Sequence, residues 1–168
     1  MRLRPYTDAD LPLTRALETD ADVMRHLGGA AGERHVRQVH ARRIRGDPGE
    51  WFRTVLVDLD SGESAAVGVV AVFRSDWDGG QIAEAGVMLL PAYQRQGLAY
   101  EALRSLIDEV AADGRVDRLH AFTGVDNRPA ALTSRRLGFV SAGVCQVEYG
   151  DAPLLSEHWT LDLRPPPR

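Results

Sequence analysis

A chain of 168 residues, 44% apolar and 26% charged, has the length and composition of one domain whose core needs no staples. Its formal net charge of −4 argues against general nucleic-acid binding, which needs a basic footprint. The single Cys145 excludes an internal disulfide, no CxxC or His/Cys cluster suggests a metal, and no apolar run approaches the ~20 residues of a membrane span.

The start, MRLRPYTDAD, has no apolar stretch after its charges, so no signal peptide and a cytoplasmic protein are expected. Residues 1–6 read as a short strand. Thr7 or Asp8 caps a helix over 8–19, with Leu11, Leu13, Ala16 and Leu17 apolar. Ala21 to Leu27 reads as a turn or short helix, broken by Gly28-Gly29. Gly32 to Arg45 is charged and helical, with Val36, Val39 and Ile44 on one side. Gly46-Asp47-Pro48-Gly49 is a turn cluster. Trp51 to Leu59 and Ala65 to Phe73 are strands joined by a hairpin-type turn at Asp60-Ser61-Gly62-Glu63. A polar loop, Arg74 to Gly80, leads to a third strand at Gln81 to Leu90.

A helix then fits 96–112, where Ala99, Ala102, Leu103, Leu106, Ile107 and Val110 recur at helical spacing. Leu119 to Thr123 is a strand. Arg128 to Leu137 is a helix, and Gly138 ends it. Two strands follow at about 139–149 and 154–163. The pattern is mixed α/β, with an antiparallel meander in front and a strand–helix–strand unit behind. There is no internal repeat or linker, so one domain is expected over 1–163, with a loose tail at 164–168.

One stretch carries chemistry. In EAGVMLLPAYQRQGLAYEAL, Glu84 to Leu103, a strand gives way to a helix through Gln94-Arg95-Gln96-Gly97-Leu98-Ala99. A loop that opens a helix presents unpaired backbone N–H groups, and the helix dipole adds partial positive charge. Phosphate is the usual guest. Gly97 lets backbone approach a ligand, Ala99 is small, and Arg95 adds a formal charge. An ordinary strand-to-helix connection is the bland alternative. Neither G-x-x-x-x-G-K-[ST] nor an early G-x-G-x-x-G is present.

The stretch resembles motif A of the GNAT superfamily of N-acetyltransferases, [Q/R]-x-x-G-x-[G/A], here Gln94, Gly97 and Ala99. It is most similar to the branch containing ribosomal-protein N-terminal acetyltransferases. LRPYTDADLPLTRALETDADVMRHLGG, from Leu3, is similar to that branch's opening. DNRPAALTSRRLGF, Asp126 to Phe139, resembles its second motif. The resemblance runs to about residue 163. It implies a mostly antiparallel central sheet of about seven strands flanked by helices, with strands 4 and 5 splayed apart.

The resemblance also implies acetyl-CoA as co-substrate, with no metal. Its pantetheine arm would pair with backbone of Met88, Leu89 and Leu90. Its pyrophosphate would lie on Arg95, Gln96, Gly97, Leu98, Ala99 and Tyr100, after Gln94. A primary amine would attack the thioester, and the Leu89 N–H would stabilise the oxyanion. Glu84 is the candidate base; otherwise it caps the strand's start or pairs with an arginine. Many relatives place a tyrosine, the thiol's proton source, where this chain has Ser134. Tyr149 and Tyr93 are substitutes for it. Asn127 falls where the family hydrogen-bonds the cofactor arm, and it also suits an N-cap. The family's usual serine three residues later is Ala130 here. His120 and His158, on expected strands, are either second bases or structural. Trp159 reads as core and Trp77 as a pocket wall.

The acceptor implied is a small amine or a protein N-terminus. Neither nucleic acid nor membrane is an expected partner, and the family's habit of homodimerising has no specific seam in this sequence. A non-catalytic acyl-CoA-binding sensor on the same scaffold is the competing reading.

Overall fold

The computed structural model describes residues 1–149 and 152–164, without the side chains of Tyr149 and Ala152. Seven strands form one sheet: β1 (Arg2–Pro5), β2 (Trp51–Asp58), β3 (Ser64–Trp77), β4 (Gly80–Leu89), β5 (Arg118–Gly124), β6 (Val140–Tyr149) and β7 (Ala152–Asp162). Their order is β1-β2-β3-β4-β5-β7-β6. Every neighbouring pair is antiparallel except β4–β5. Five helices accompany them: α1 (Leu11–Glu18), α2 (Ala21–Met24), α3 (Glu33–Arg45), α4 (Leu98–Asp113) and α5 (Arg128–Arg136). Residues 165–168 of the tail expected at 164–168, and residues 150–151, lie outside the described residues.

Strand alternation builds a core on each face of the sheet. On one face Val70, Val72, Ala85, Leu89, Leu119, Ala121 and Trp159 pack with Ala102, Leu106, Ile107 and Val110 of α4. On the other, Phe52, Val69 and Ala71 pack with Tyr6, Leu13 and Leu17. α1 is tied to β1 and β2 through buried Asp10. Its carboxylate accepts from both terminal guanidinium nitrogens of Arg4 at 2.7 Å, from the Thr7 N–H at 2.8 Å and from the Thr54 hydroxyl at 3.0 Å.

Strands β4 and β5 part early. Their register holds at Ala83↔Leu119 and Glu84↔His120 only, while β3 follows β4 all the way to Leu89. The splay expected between strands 4 and 5 is therefore present.

Three expectations need correction. Residues 74–80 are not a loop: β3 continues to Trp77, and a two-residue turn at Asp78 (φ 48°) and Gly79 (φ 76°) closes a hairpin onto β4. Polar Arg74, Ser75 and Asp76 masked a strand whose residues alternate between exposed and half-buried. In α3, Ile44 is 44% exposed, and the inward face is Val36, His40 and the Arg43 side chain. Those polar groups are satisfied inside: Tyr6 and His40 Nδ1 lie 2.6 Å apart, and Arg43 donates to Glu18 at 2.8 Å and Thr14 at 3.0 Å. The first helix begins as a 3-10 turn, Asp8–Asp10, before α1.

Candidate functional site

The gap between β4 and β5 is defined by where backbone groups point. The Leu90 N–H donates to the Val67 carbonyl at 2.9 Å, continuing the Leu89↔Gly68 register. In an antiparallel ladder alternate residues exchange bonds with a given neighbour. Glu84, Gly86 and Met88 therefore direct their backbone groups to β3, and Ala85, Val87 and Leu89 direct theirs to the β5 side. Beyond Glu84 that side has no strand. The N–H groups of Val87 and Leu89 open into the gap, while the Leu89 carbonyl accepts from Gln94 Nε2 at 3.0 Å. The expectation for Met88 and Leu90 is not met by this register: Met88 pairs with β3, the Leu90 N–H donates to Val67, and the Leu90 carbonyl accepts from the Tyr93 N–H at 2.9 Å. Val87 was missed, because the sequence gives strand alternation but not the register against β3.

At the top of the gap the loop between β4 and α4 turns sharply. Arg95 (φ 60°) and Gly97 (φ 83°) both take the left-handed conformation. Glu101 is the first residue of α4 whose N–H finds a helical acceptor, Gly97 O at 3.1 Å. The N–H groups of Leu98, Ala99 and Tyr100 have none among the described residues. The two glutamine side chains are turned inward: Gln94 onto Leu89, and Gln96 Nε2 onto the Ala92 carbonyl at 2.8 Å. They brace the loop and leave its N–H groups outward. A Cβ on Gly97 would meet nothing within 4 Å. The Arg136 guanidinium lies 4.8 Å over the Tyr100 ring, adding a positive charge from α5 that the motif did not reveal.

Across the gap stands α5. Asn127 Oδ1 caps it, accepting from the Ala130 N–H at 3.3 Å, and the side-chain amide nitrogen has no partner among the described residues. Ser134 is 7% exposed, and its hydroxyl makes no hydrogen bond among them. The Tyr149 hydroxyl lies outside the described side chains.

At the foot of the gap sits Glu84. The Ser75 hydroxyl donates to its Oε2 at 2.7 Å. Burial pushes the carboxyl above its ordinary range, against the opposite pull of Ser75 and the Arg42 charge. No arginine pairs with it directly among the described residues. His120 is its register partner on β5, on the same sheet face. His120 Nδ1 lies 2.9 Å from His158 Nε2 on β7. Phe122 stacks on His158 with centroids 4.7 Å apart, and Trp77 tilts against Phe122 at 4.7 Å. Burial holds both histidines below their ordinary pKa, with His158 and Arg118 adding to the effect on His120. Trp159 is core, donating to Thr123 at 2.9 Å. Cys145 packs half-buried, its thiol directed at the Ser156 carbonyl. Among the described residues no group of three or more His, Cys, Asp or Glu is placed to hold a metal ion.

Residues 1–140 match the family model described as acetyltransferase (GNAT) domain. The chain belongs to the GNAT acetyltransferase family. Solved GNAT structures share its fold over nearly the whole chain. A spermidine N-acetyltransferase from Vibrio cholerae, in complex with CoA and spermine, is 16% identical with a TM-score of 0.76; the match covers 96% of this chain and 95% of that one. An acetyltransferase from Salmonella typhimurium, with its cofactor acetyl-CoA, is 20% identical with a TM-score of 0.72, covering 100% and 96%. A ribosomal-protein-alanine N-acetyltransferase from Brucella melitensis is 20% identical with a TM-score of 0.72, covering 96% and 99%. No curated protein matches the sequence. No helix among the described residues is long and apolar enough to cross a membrane.

Proposed function

We propose that this GNAT protein transfers an acetyl group from acetyl-CoA to a primary amine. The observation that carries the reading is the row of outward N–H groups: Val87 and Leu89 in the gap, then Leu98, Ala99 and Tyr100 at its top. An arm with amide carbonyls and a pyrophosphate is the ligand such a row fits. Leu98 to Tyr100, with Arg95, would hold the pyrophosphate, and the free amide of Asn127 would reach the arm. When bound, acetyl-CoA supplies the activated thioester.

The chain's own groups supply the rest. The N–H of Leu89 donates to the thioester carbonyl oxygen as negative charge develops on it, and that of Val87, about two strand residues away, is left for the arm. Glu84 accepts a proton from the amine, directly or through one water. Ser134, inward-facing with an unbonded hydroxyl, is the group on α5 to donate to the departing sulfur. A hydroxyl is a weak acid, so its part is a hydrogen bond to the thiolate. Structural relatives bind spermine or carry the name of a ribosomal-protein acetyltransferase. Both names speak of N-acetylation, and the acceptor proposed here is a small amine or a protein N-terminus.

The test is Glu84→Gln. Turnover with acetyl-CoA is expected to fall by about 10²-fold or more, with acetyl-CoA affinity unchanged. An unchanged pH–rate profile in the variant removes Glu84 from the proton chemistry. Acetyl-CoA binding with no turnover against any amine supports the sensor reading instead.

A further inference from the structure

The reaction strips two protons from the acceptor nitrogen, and Glu84 can take only one at a time. The amine enters as an ammonium and must lose a proton before it attacks. After C–N bond formation the nitrogen carries a second surplus proton. When the C–S bond breaks, one proton ends on sulfur and one leaves to solvent.

The sheet places a second acceptor beside the first. Glu84↔His120 is the last register pair before β4 and β5 separate, so both side chains stand at the foot of the gap on one face. The His120 and His158 rings lie within 16° of parallel, with centroids 5.1 Å apart, joined through Nδ1 and Nε2. Phe122 and Trp77 hold the His158 ring from its flanks. No other hydrogen bond is made by either imidazole among the described residues. When Nδ1 of His120 carries the shared proton, its Nε2 keeps a lone pair. His158 is half-buried, so its ring is partly open to solvent.

We propose that His120, backed by His158, is the second proton acceptor of this site and takes the ammonium proton, leaving Glu84 for the proton lost after attack. An N–H bond of the ammonium breaks and an Nε2–H bond forms on His120. The charge spreads to His158 through the shared hydrogen bond, and the proton leaves to solvent. The later proton passes to Glu84 and ends on the coenzyme A sulfur, with Ser134 donating a hydrogen bond. The charged groups facing the pair are Glu84 on β4 and Arg118 on β5, the latter tied to Asp162 at 2.5 Å. Trp77 and Ser75 on β3 and Thr160 on β7 are neutral. This proposal rests on the acetyl-transfer reading.

The experiment is the pH dependence of kcat/KM for thiol release with the best amine found. Wild type, Glu84→Gln, His120→Asn and His158→Asn are compared, with acetyl-CoA affinity and melting temperature measured on each. The wild-type acid limb should approach a slope of two, and each of Glu84→Gln and His120→Asn should leave a slope of one. His120→Asn should lose about 10²-fold at neutral pH. His158→Asn should shift the acid limb, since it takes from His120 both its hydrogen-bond partner and the His158 charge beside it. Nitrogen-detected histidine NMR on the ligand-free protein should show the two rings titrating together, below an ordinary histidine. A uniform loss with an unmoved acid limb, or independent titration of the rings, overturns the proposal and leaves the histidines structural. If wild type acetylates no amine, the acetyl-transfer reading fails first and the proposal with it.

Discussion

Asp10 and Glu84 are both carboxylates taken from water, and their neighbours send them in opposite directions. Burial alone would raise Asp10, but Arg4, the Thr7 N–H and Thr54 outweigh it and hold the carboxyl below its ordinary range. The folded state then binds that proton less readily than the unfolded chain. Its contribution is fully present above the ordinary value of 3.8 and is lost as pH falls through the lower folded value. Asp10→Asn should lower stability at neutral pH by about 1–3 kcal/mol and flatten the acid limb of a stability–pH curve; chemical denaturation across pH checks both. Glu84 has one hydroxyl and the more distant Arg42 charge against its burial, and burial outweighs both. Its folded carboxyl binds a proton more readily than the unfolded one. Stability falls as pH rises from 4.5 through the raised value. Glu84→Gln should therefore be at least as stable as wild type at neutral pH while losing turnover. A destabilised Glu84→Gln would mean the carboxylate is a structural partner. Such a residue, costly to the fold and well placed for chemistry, is expected of an active site.

Two glycines act at the level of elements. Gly68 on β3 faces Leu89 in register, and a Cβ there would fall on the Met88 carbonyl and the Leu89 side chain. Its absence lets β3 lie close against the end of β4, where β5 has already left. Gly68→Ala should cost about 1–3 kcal/mol by forcing the strands apart, read as a lower melting temperature. It should also weaken acetyl-CoA binding, because the Val87 and Leu89 N–H groups move with the strand. Gly97 is a different case: a Cβ there meets nothing, but φ is 83°. Gly97→Ala should cost about 1–2 kcal/mol of backbone strain and lower acetyl-CoA affinity, with the fold kept. Titration calorimetry against a melting curve separates the two effects.

Legibility also divides at this scale. Helix α4 and strand β2 stood out in the sequence because their apolar spacing is strong. The end of β3 did not, since Ser75 and Asp76 read as loop while pairing with Ile82 and Gln81 holds them as strand. The inward face of α3 was hidden because His40 and Arg43 are buried polar groups, which periodicity of apolar residues does not register. Within the candidate site, motif A pointed to the loop at Arg95 to Tyr100, whose outward N–H groups depend on local backbone. It did not point to Val87, whose outward N–H follows from register across β3 and β4. It did not join His120 to His158 either, since they lie 38 residues apart and meet only when β5 pairs with β7.

At the scale of the molecule, the sheet is continuous on one side of the gap and on the other, and it opens between. β4 presents backbone donors from one side, and α5 presents Asn127 and Ser134 from the other. The foot of the gap carries Glu84 and His120, the proposed proton acceptors, and α4 opens at its top with outward N–H groups, the proposed anion site. Trp77, Phe122 and the paired histidines form an aromatic cluster beside that foot. The most direct measurement is thiol release from acetyl-CoA by wild type against a panel of small amines and N-terminal peptides, with the acetylated product identified by mass spectrometry. The account predicts stoichiometric thiol and N-acetyl product with at least one primary amine. Tight acetyl-CoA binding, with neither thiol nor acetylated product from any acceptor, would contradict it.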